Sequence, residues 1–170
     1  MLSPFTQSIP AAPGQRRLQI IQSLRLLVPS PTRMRAAPQP NDHSRGSQTN
    51  LVAAPKVTAY VGGELVWGVE PAPAYCSGGP AFRGPRVTLK YRHDPGDQPG
   101  DNHRKPHFEI VNTGPSDIDL SKVTVRYWYA KGSQAAQQFN VDYAAIGNDR
   151  IRGTFGVPAT TKVGADSYLQ

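Results

Sequence analysis

The sequence predicts an all-β sandwich, and three observations carry that prediction. Short runs alternate apolar and polar residues with a period of two. The 16 Gly and 17 Pro among 170 residues set turns too close together for long helices. No segment sustains the 3.6-residue apolar period of an amphipathic helix. A chain of this length suits one domain with a real core, flanked by poorly ordered ends.

Taken in order, residues 1–38 are rich in Pro, Gln and Arg, and the expectation there is disorder. Leu18 to Val28 is apolar but broken by Gln19, Gln22, Ser23 and Arg25. It is too short for the roughly 20 residues that span a bilayer, and the interruptions spoil it as an export-signal core. KVTAYVGGELVWGVEP, Lys56 to Pro71, then reads as a complete hairpin. Val57, Ala59 and Val61 alternate with Thr58 and Tyr60, Gly62-Gly63 tolerates positive φ, and Leu65, Val66 and Trp67 form the return arm. Residues 73–85 shift to Pro, Gly, Ala and Ser and read as a linker.

From Arg86 the alternation becomes regular. RVTLKYR is a strand, HDPGDQPGDNHRK an irregular loop, PHFEIVN a strand, TGPSDIDLS a turn and KVTVRYWYA a third strand. In that third strand Val123, Val125, Tyr127 and Tyr129 share one face and Thr124, Arg126 and Trp128 the other, so both faces are covered, as in a sandwich. Phe139, Val141, Arg150 to Phe155 and Ser167 to Leu169 supply further short strands.

The net charge of +7 is concentrated upstream: residues 1–85 hold 8 Lys/Arg against 3 Asp/Glu, the remainder 11 against 9. Those upstream arginines lie among Pro and Gln without interleaved aromatics, which reads as solvated charge rather than a nucleic-acid surface. Cys76 is the only cysteine and lies in the linker, so no internal disulfide forms. His103 and His107 are four apart, but Pro106 and the strand that follows remove the helical geometry that would pair them on zinc. Asp117 and Asp119 sit beside Ser116 and Ser121 as turn-capping residues, not as a hydrolytic acid and base. No nucleophile motif or phosphate loop appears, and no enzymatic chemistry is expected.

The run KPHFEIVNTGPSDIDLSKVTVRYWYAKG, followed by QQFNVDYAAIG, RIRGTF and ADSYL, resembles the first half of a family 3 carbohydrate-binding module, the cellulose-binding type. The hairpin KVTAYVGGELVWG, with NDHSRGSQTNLVAAPKVTAYV leading into it, resembles that family's closing segment, and FTQSIPAAPGQ its central turn. The family's second half thus precedes its first: residues 39–72 resemble the closing segment and 86–170 the opening half. Either the chain is a window on a tandem array or it is a circular permutant. The decisive observation is whether Val57 to Trp67 pairs in the same sandwich as Val123 to Tyr129. The resemblance implies a jelly-roll β-sandwich, incomplete or permuted.

It also implies a role: attaching a secreted cellulase or scaffoldin, outside the cell, to cellulose or a related β-glucan, with no nucleic acid or membrane as partner. The family's flat binding strip begins at an Asp-aromatic pair, which here is Asp142 and Tyr143. The ring of Tyr143 would stack on a sugar face, and Asp142 would fix a neighbouring Arg or accept from a hydroxyl. The strip's Arg and Trp correspond to about Val28 to Met34, which shows neither at the expected places, and Asn148-Asp149-Arg150 leaves no room for a further tyrosine. Weak binding is therefore expected. Tyr127 and Tyr129 either line the family's shallow groove or pack in the core, and core packing is the expectation. The family's structural calcium falls at Asn41 and Asp42, whose hard oxygens suit that ion. Its other ligand positions are Pro38, Ala130 and Gly132, so calcium binding is expected to be weak or lost. Two rival roles remain open from the sequence: a structural or protein-interaction remnant without carbohydrate affinity, and a basic polyanion binder.

Overall fold

A computed structural model describes residues 8–9, 17–26, 42–72, 87–94, 103–131, 136–160 and 162–170. Among these residues the strands are β1 (Ser8–Ile9), β2 (Arg17–Leu26), β3 (Val52–Ala53), β4 (Thr58–Val61), β5 (Glu64–Trp67), β6 (Val87–His93), β7 (His103–Arg104), β8 (Pro106–Asn112), β9 (Ile118–Asp119), β10 (Val123–Tyr129), β11 (Gln137–Ala144), β12 (Phe155–Gly156) and β13 (Ser167–Leu169). Two antiparallel sheets form the sandwich, in the orders β12-β13-β10-β4-β5 and β11-β2-β8-β6-β3. β7 pairs β2, and β1 pairs β9 separately.

The core lies between the sheets, where one face of each strand points inward. Val87, Leu89 and Tyr91 of β6 and Phe108 and Ile110 of β8 come from one sheet; Ala59 of β4, Val66 of β5, Tyr127 and Tyr129 of β10 and Leu169 of β13 come from the other. Tyr91 and Tyr127 bring the sheets together with ring centroids 6.1 Å apart, and Phe108 lies 5.9 Å from Tyr91. These tilted arrangements suit the ring quadrupoles. Tyr127 and Tyr129 are therefore core residues, not groove residues.

The hairpin docks in this same sandwich. Val123 to Arg126 of β10 pair antiparallel with Val61 to Thr58 of β4, so upstream and downstream segments share one sheet. Gly62 and Gly63 have φ of +60° and +88°, which matches the right-handed twist of the arms. A bulge between Ala59 and Tyr60 lets Val66 point inward, fully buried. Trp67 packs within the hairpin's own surroundings, its indole N–H donating to the Ala54 carbonyl at 3.0 Å.

Two sequence expectations change. Arg17–Leu26, expected to be disordered, is a ten-residue strand in the middle of a sheet, with Leu18 opposite Ile110 and Ile20 opposite Phe108 on β8. Leu18, Ile20, Leu24 and Leu26 recur at a period of two, interrupted at Ile21-Gln22, and that pattern suits a strand. Arg150 to Phe155 is not a strand throughout: a 3-10 turn covers Asn148–Arg150, and pairing begins where Thr154 and the terminal Gln170 exchange backbone hydrogen bonds at 2.8 Å. The linker expected at 73–85, with Cys76, lies outside the described residues, as do 27–41.

Candidate functional site

Asp142 and Tyr143 are brought to the surface together by a bulge. In β11, Gln137, Phe139 and Val141 are partly buried while Gln138 and Asn140 are exposed, the alternation of a strand with one face inward. The pairing with β2 then shifts between Val141 and Tyr143, leaving Asp142 as the extra residue. Two successive side chains, Asp142 and Tyr143, are consequently exposed before Ala144 turns back inside. Among the described residues the exposed large apolar side chains are Val52, Val69, Tyr143, Val157 and Val163, and Tyr143, 49% exposed, is the aromatic one.

Asn148 holds the bulge. Its Oδ1 accepts from the Ala144 N–H at 2.8 Å, and its Nδ2 donates to the Val141 and Asp142 carbonyls at 3.0 and 3.3 Å. Gly147, at φ +100°, turns the chain so that Asn148 faces back onto the strand. Backbone groups that the bulge removes from the ladder are thereby satisfied.

The pairing registers place Tyr143 in a row across the sheet. Tyr143 is opposite Ile21 of β2, Ile21 opposite His107 of β8, and His107 opposite Arg92 of β6. With strands about 4.8 Å apart, that row runs roughly 14 Å. On this face β8 carries His107, Glu109 and Val111, all buried, and β6 carries Lys90 and Arg92. Lys90 Nζ meets Glu109 Oε1 at 2.9 Å, and the Arg92 guanidinium donates to His107 Nδ1 at 3.0 to 3.2 Å. His107 Nε2 lies 3.5 Å from Asp94 Oδ2. Because Nδ1 accepts, the imidazole is neutral with its proton on Nε2 facing Asp94. Burial and the Arg92 charge push His107 below its usual value, against the opposing pull of Asp94 and Asp142. The result is an exposed ring at a sheet edge, beside Asp142, with the polar groups of β8 and β6 largely buried and paired with one another further in. Such a pair can stack on an apolar ring surface and bond to hydroxyls, and it holds no nucleophile with an activating base.

Sequence reasoning named Asp142 and Tyr143 but not Asn148, Arg92 or Asp94, and it weighed His107 only as a zinc ligand. The Gly-Asn pair at 147–148 was the available signal for the bracing turn. Asp119 behaves as the sequence suggested: its Oδ1 accepts from the Ser121 N–H and hydroxyl at 2.9 and 2.7 Å, bonds that hold its carboxyl below the usual value. The calcium candidates are far from this face in the chain. Asn41 lies outside the described residues, and Asp42 is buried against Arg104.

Comparison with known proteins adds the following. Residues 89–170 match the family model described as cellulose binding domain. The chain is 30% identical over 163 residues to a beta-mannanase/endoglucanase A of Caldicellulosiruptor saccharolyticus, covering 73% of this chain and 12% of that protein. It is 39% identical over 70 residues to an endoglucanase A of Paenibacillus lautus, covering 41% and 10%. It is 38% identical over 89 residues to a cellulosomal-scaffolding protein B of Acetivibrio thermocellus, covering 47% and 11%. The chain thus spans 10 to 12% of the length of these relatives. No solved structure matches it.

Proposed function

We propose that this chain, whose residues 89–170 match the family model described as cellulose binding domain, binds cellulose without catalysis and serves to hold a larger secreted protein on that substrate. The observation that carries this reading is the exposed Tyr143 on the β11 bulge, beside Asp142 at the edge of a sheet. The exposed phenol ring would offer an apolar plane to a pyranose face, and the exposed Asp142 beside it a partner to hydroxyls. The binding is weak, because one aromatic platform desolvates a small area.

The relatives carry cellulase and scaffolding names and are far longer than this chain, which supports a role as one module among several, acting outside the cell. The colinear match over 73% of the chain reaches beyond residues 89–170 and takes in upstream residues. Such a match suits the tandem window as well as the circular permutant, and in this chain the upstream hairpin pairs with the downstream strand β10 in one sheet.

The test is depletion from solution by microcrystalline cellulose, for the wild-type chain and Tyr143→Ala. Retention of the wild type on the pellet and its loss in Tyr143→Ala is the expected result. Negligible depletion of the wild type, or equal retention of the variant, overturns the reading. Salt-sensitive binding to nucleic acid in place of cellulose would point to the basic polyanion role instead.

A further inference from the structure

Asp42 is a buried carboxylate held by one hydrogen bond and one ion pair, with no further hydrogen bond to its Oδ2. Its side chain has no exposure, its Oδ1 accepts the Ala130 N–H at 2.8 Å, and its Oδ2 lies 2.9 Å from Arg104 Nη2. The Arg104 side chain is 10% exposed and its guanidinium carbon lies 5.7 Å from the centre of the Tyr129 ring. The next residues are stitched to the same strand end. The Ser44 N–H donates to the Trp128 carbonyl at 3.0 Å, Ser44 Oγ accepts the Trp128 N–H at 2.8 Å, and that hydroxyl donates to the Lys56 carbonyl at 2.6 Å. Arg104 belongs to β7, which pairs β2 of the six-stranded sheet, whereas Ala130 follows β10 of the five-stranded one. The ion pair therefore ties one sheet to the other through the segment at Asp42.

This is where the family resemblance places a structural calcium, and the donors among the described residues do not fit one. Calcium takes six to eight oxygens. Ala130 and Gly132 have no side-chain oxygen, both Ser44 Oγ roles are already used, and no group of three His, Cys, Asp or Glu suited to a metal exists among the described residues. One Asp42 oxygen is bonded to the Ala130 N–H and the other faces a guanidinium. A divalent ion entering there would meet Arg104 at contact distance, with Arg45 also acting on the carboxylate.

We propose that the Arg104 guanidinium is the resident cation of this site, holding Asp42 between the two sheets in the place of a metal, so that the fold of this chain is independent of calcium. The family resemblance enters only in saying where a cation belongs. The test reads stability rather than cellulose retention, so failure here and failure of the cellulose reading are distinguishable.

Thermal unfolding of the full chain is measured in EDTA and in millimolar CaCl2. The expected result is a wild-type Tm that is the same in both. Arg104→Gln strands a buried carboxylate and lowers the Tm in EDTA by roughly 6–20 °C. Asp42→Asn combined with Arg104→Gln removes the stranded charge and recovers most of that loss. A wild-type Tm raised by calcium and lowered again by EDTA overturns the proposal, as does an Arg104→Gln variant with wild-type Tm. If Arg104→Gln alone does not fold, the wild-type metal comparison and the double variant still decide: a double variant as unstable as the single one refutes the pairing.

Discussion

Gly68 is the point at which the hairpin leaves its docked position, and replacing it by alanine tests that docking directly. Its φ is +82°, and a Cβ built there would lie 2.4 Å from the Val57 carbonyl oxygen, 2.9 Å from that of Pro55 and 3.2 Å from the Thr58 Cα. All three are backbone atoms, so no rotamer change relieves the overlap. The neighbouring backbone is held, since the Val69 N–H donates to the Pro55 carbonyl at 2.7 Å and Val57 is fully buried. Gly63 supplies the control: φ is +88°, but its Cβ would meet open space. Gly63→Ala thus reads the left-handed backbone penalty alone, about 1–2 kcal/mol. Gly68→Ala adds an overlap worth about 1–3 kcal/mol. At roughly 2–4 °C per kcal/mol for a chain of this size, Gly63→Ala lowers Tm by about 2–8 °C and Gly68→Ala by about 4–20 °C. Thermal unfolding followed by tryptophan fluorescence suits the assay, because Trp67 precedes the site and Trp128 donates to Thr58 across the β4–β10 pairing. Equal Tm values for the two variants would refute the close approach of Gly68 to residues 55–58.

Three further outcomes follow from the same packing. Asn112, 1% exposed, braces the turn after β8 by accepting the Gly114 N–H at 2.9 Å and donating to the Ser116 carbonyl at 2.8 Å; Asn112→Ala should lower the urea midpoint by the equivalent of about 1–3 kcal/mol, the stranding of one buried donor. Trp128→Phe removes the indole donor from the fully buried Thr58 hydroxyl, 2.9 Å away, for a similar loss, and adding Thr58→Val should return part of it in a double-mutant cycle. His107 and His43 both hold folded values below 6.5, by burial first and then by the Arg92 charge for His107 and the Lys56 charge for His43. The folded state therefore binds fewer protons than the unfolded one. That stability is present above pH 6.5 and is lost as pH falls through the depressed folded values, a slope that His107→Gln should flatten in Tm measured against pH.

What the sequence disclosed, and what it withheld, divides along contact range. The hairpin, its Gly62-Gly63 turn and the inward Tyr127 and Tyr129 were legible because a period of two and a turn type are local properties. β2 was missed although its alternation is equally local. Gln19, Ser23 and Arg25 were weighed as defects in a continuous apolar run, when they alternate with Leu18, Ile20, Leu24 and Leu26 at the period of a strand. The pairing of β2 between β8 and β11 depends on segments far along the chain, and no local window contains it. The same holds for the site. Asp142 and Tyr143 were visible through family likeness, but their joint exposure depends on a bulge braced by Asn148, and the polar row beside them depends on the register of four strands. Arg104 was read only as part of a loop, because its partner Asp42 lies in a segment that the linear order sets far upstream.

A hairpin that enters the chain before β10 is tolerable because the two sheets depend on segment order unequally. β4 adds to β10 through backbone bonds along one edge, and those bonds are indifferent to whether the chain enters the hairpin before or after β10. Reordering changes the length of chain closing the contact, and the entropy of closure grows only with the logarithm of that length. Against it stands the burial of Val57, Ala59 and Val66 facing Leu89 and Tyr91, each worth about 1.5–3 kcal/mol for a fully buried large apolar side chain and less for alanine. Tyr143 and the polar row lie on the far side of the other sheet, facing away from this contact. Loss of the hairpin should consequently act on the exposed face through global stability rather than local geometry. A hairpin variant such as Gly68→Ala that still folds at low temperature should therefore keep wild-type retention on cellulose there and lose it only as it unfolds. Loss of retention while the fold persists would mean that the face and the hairpin are coupled through the core.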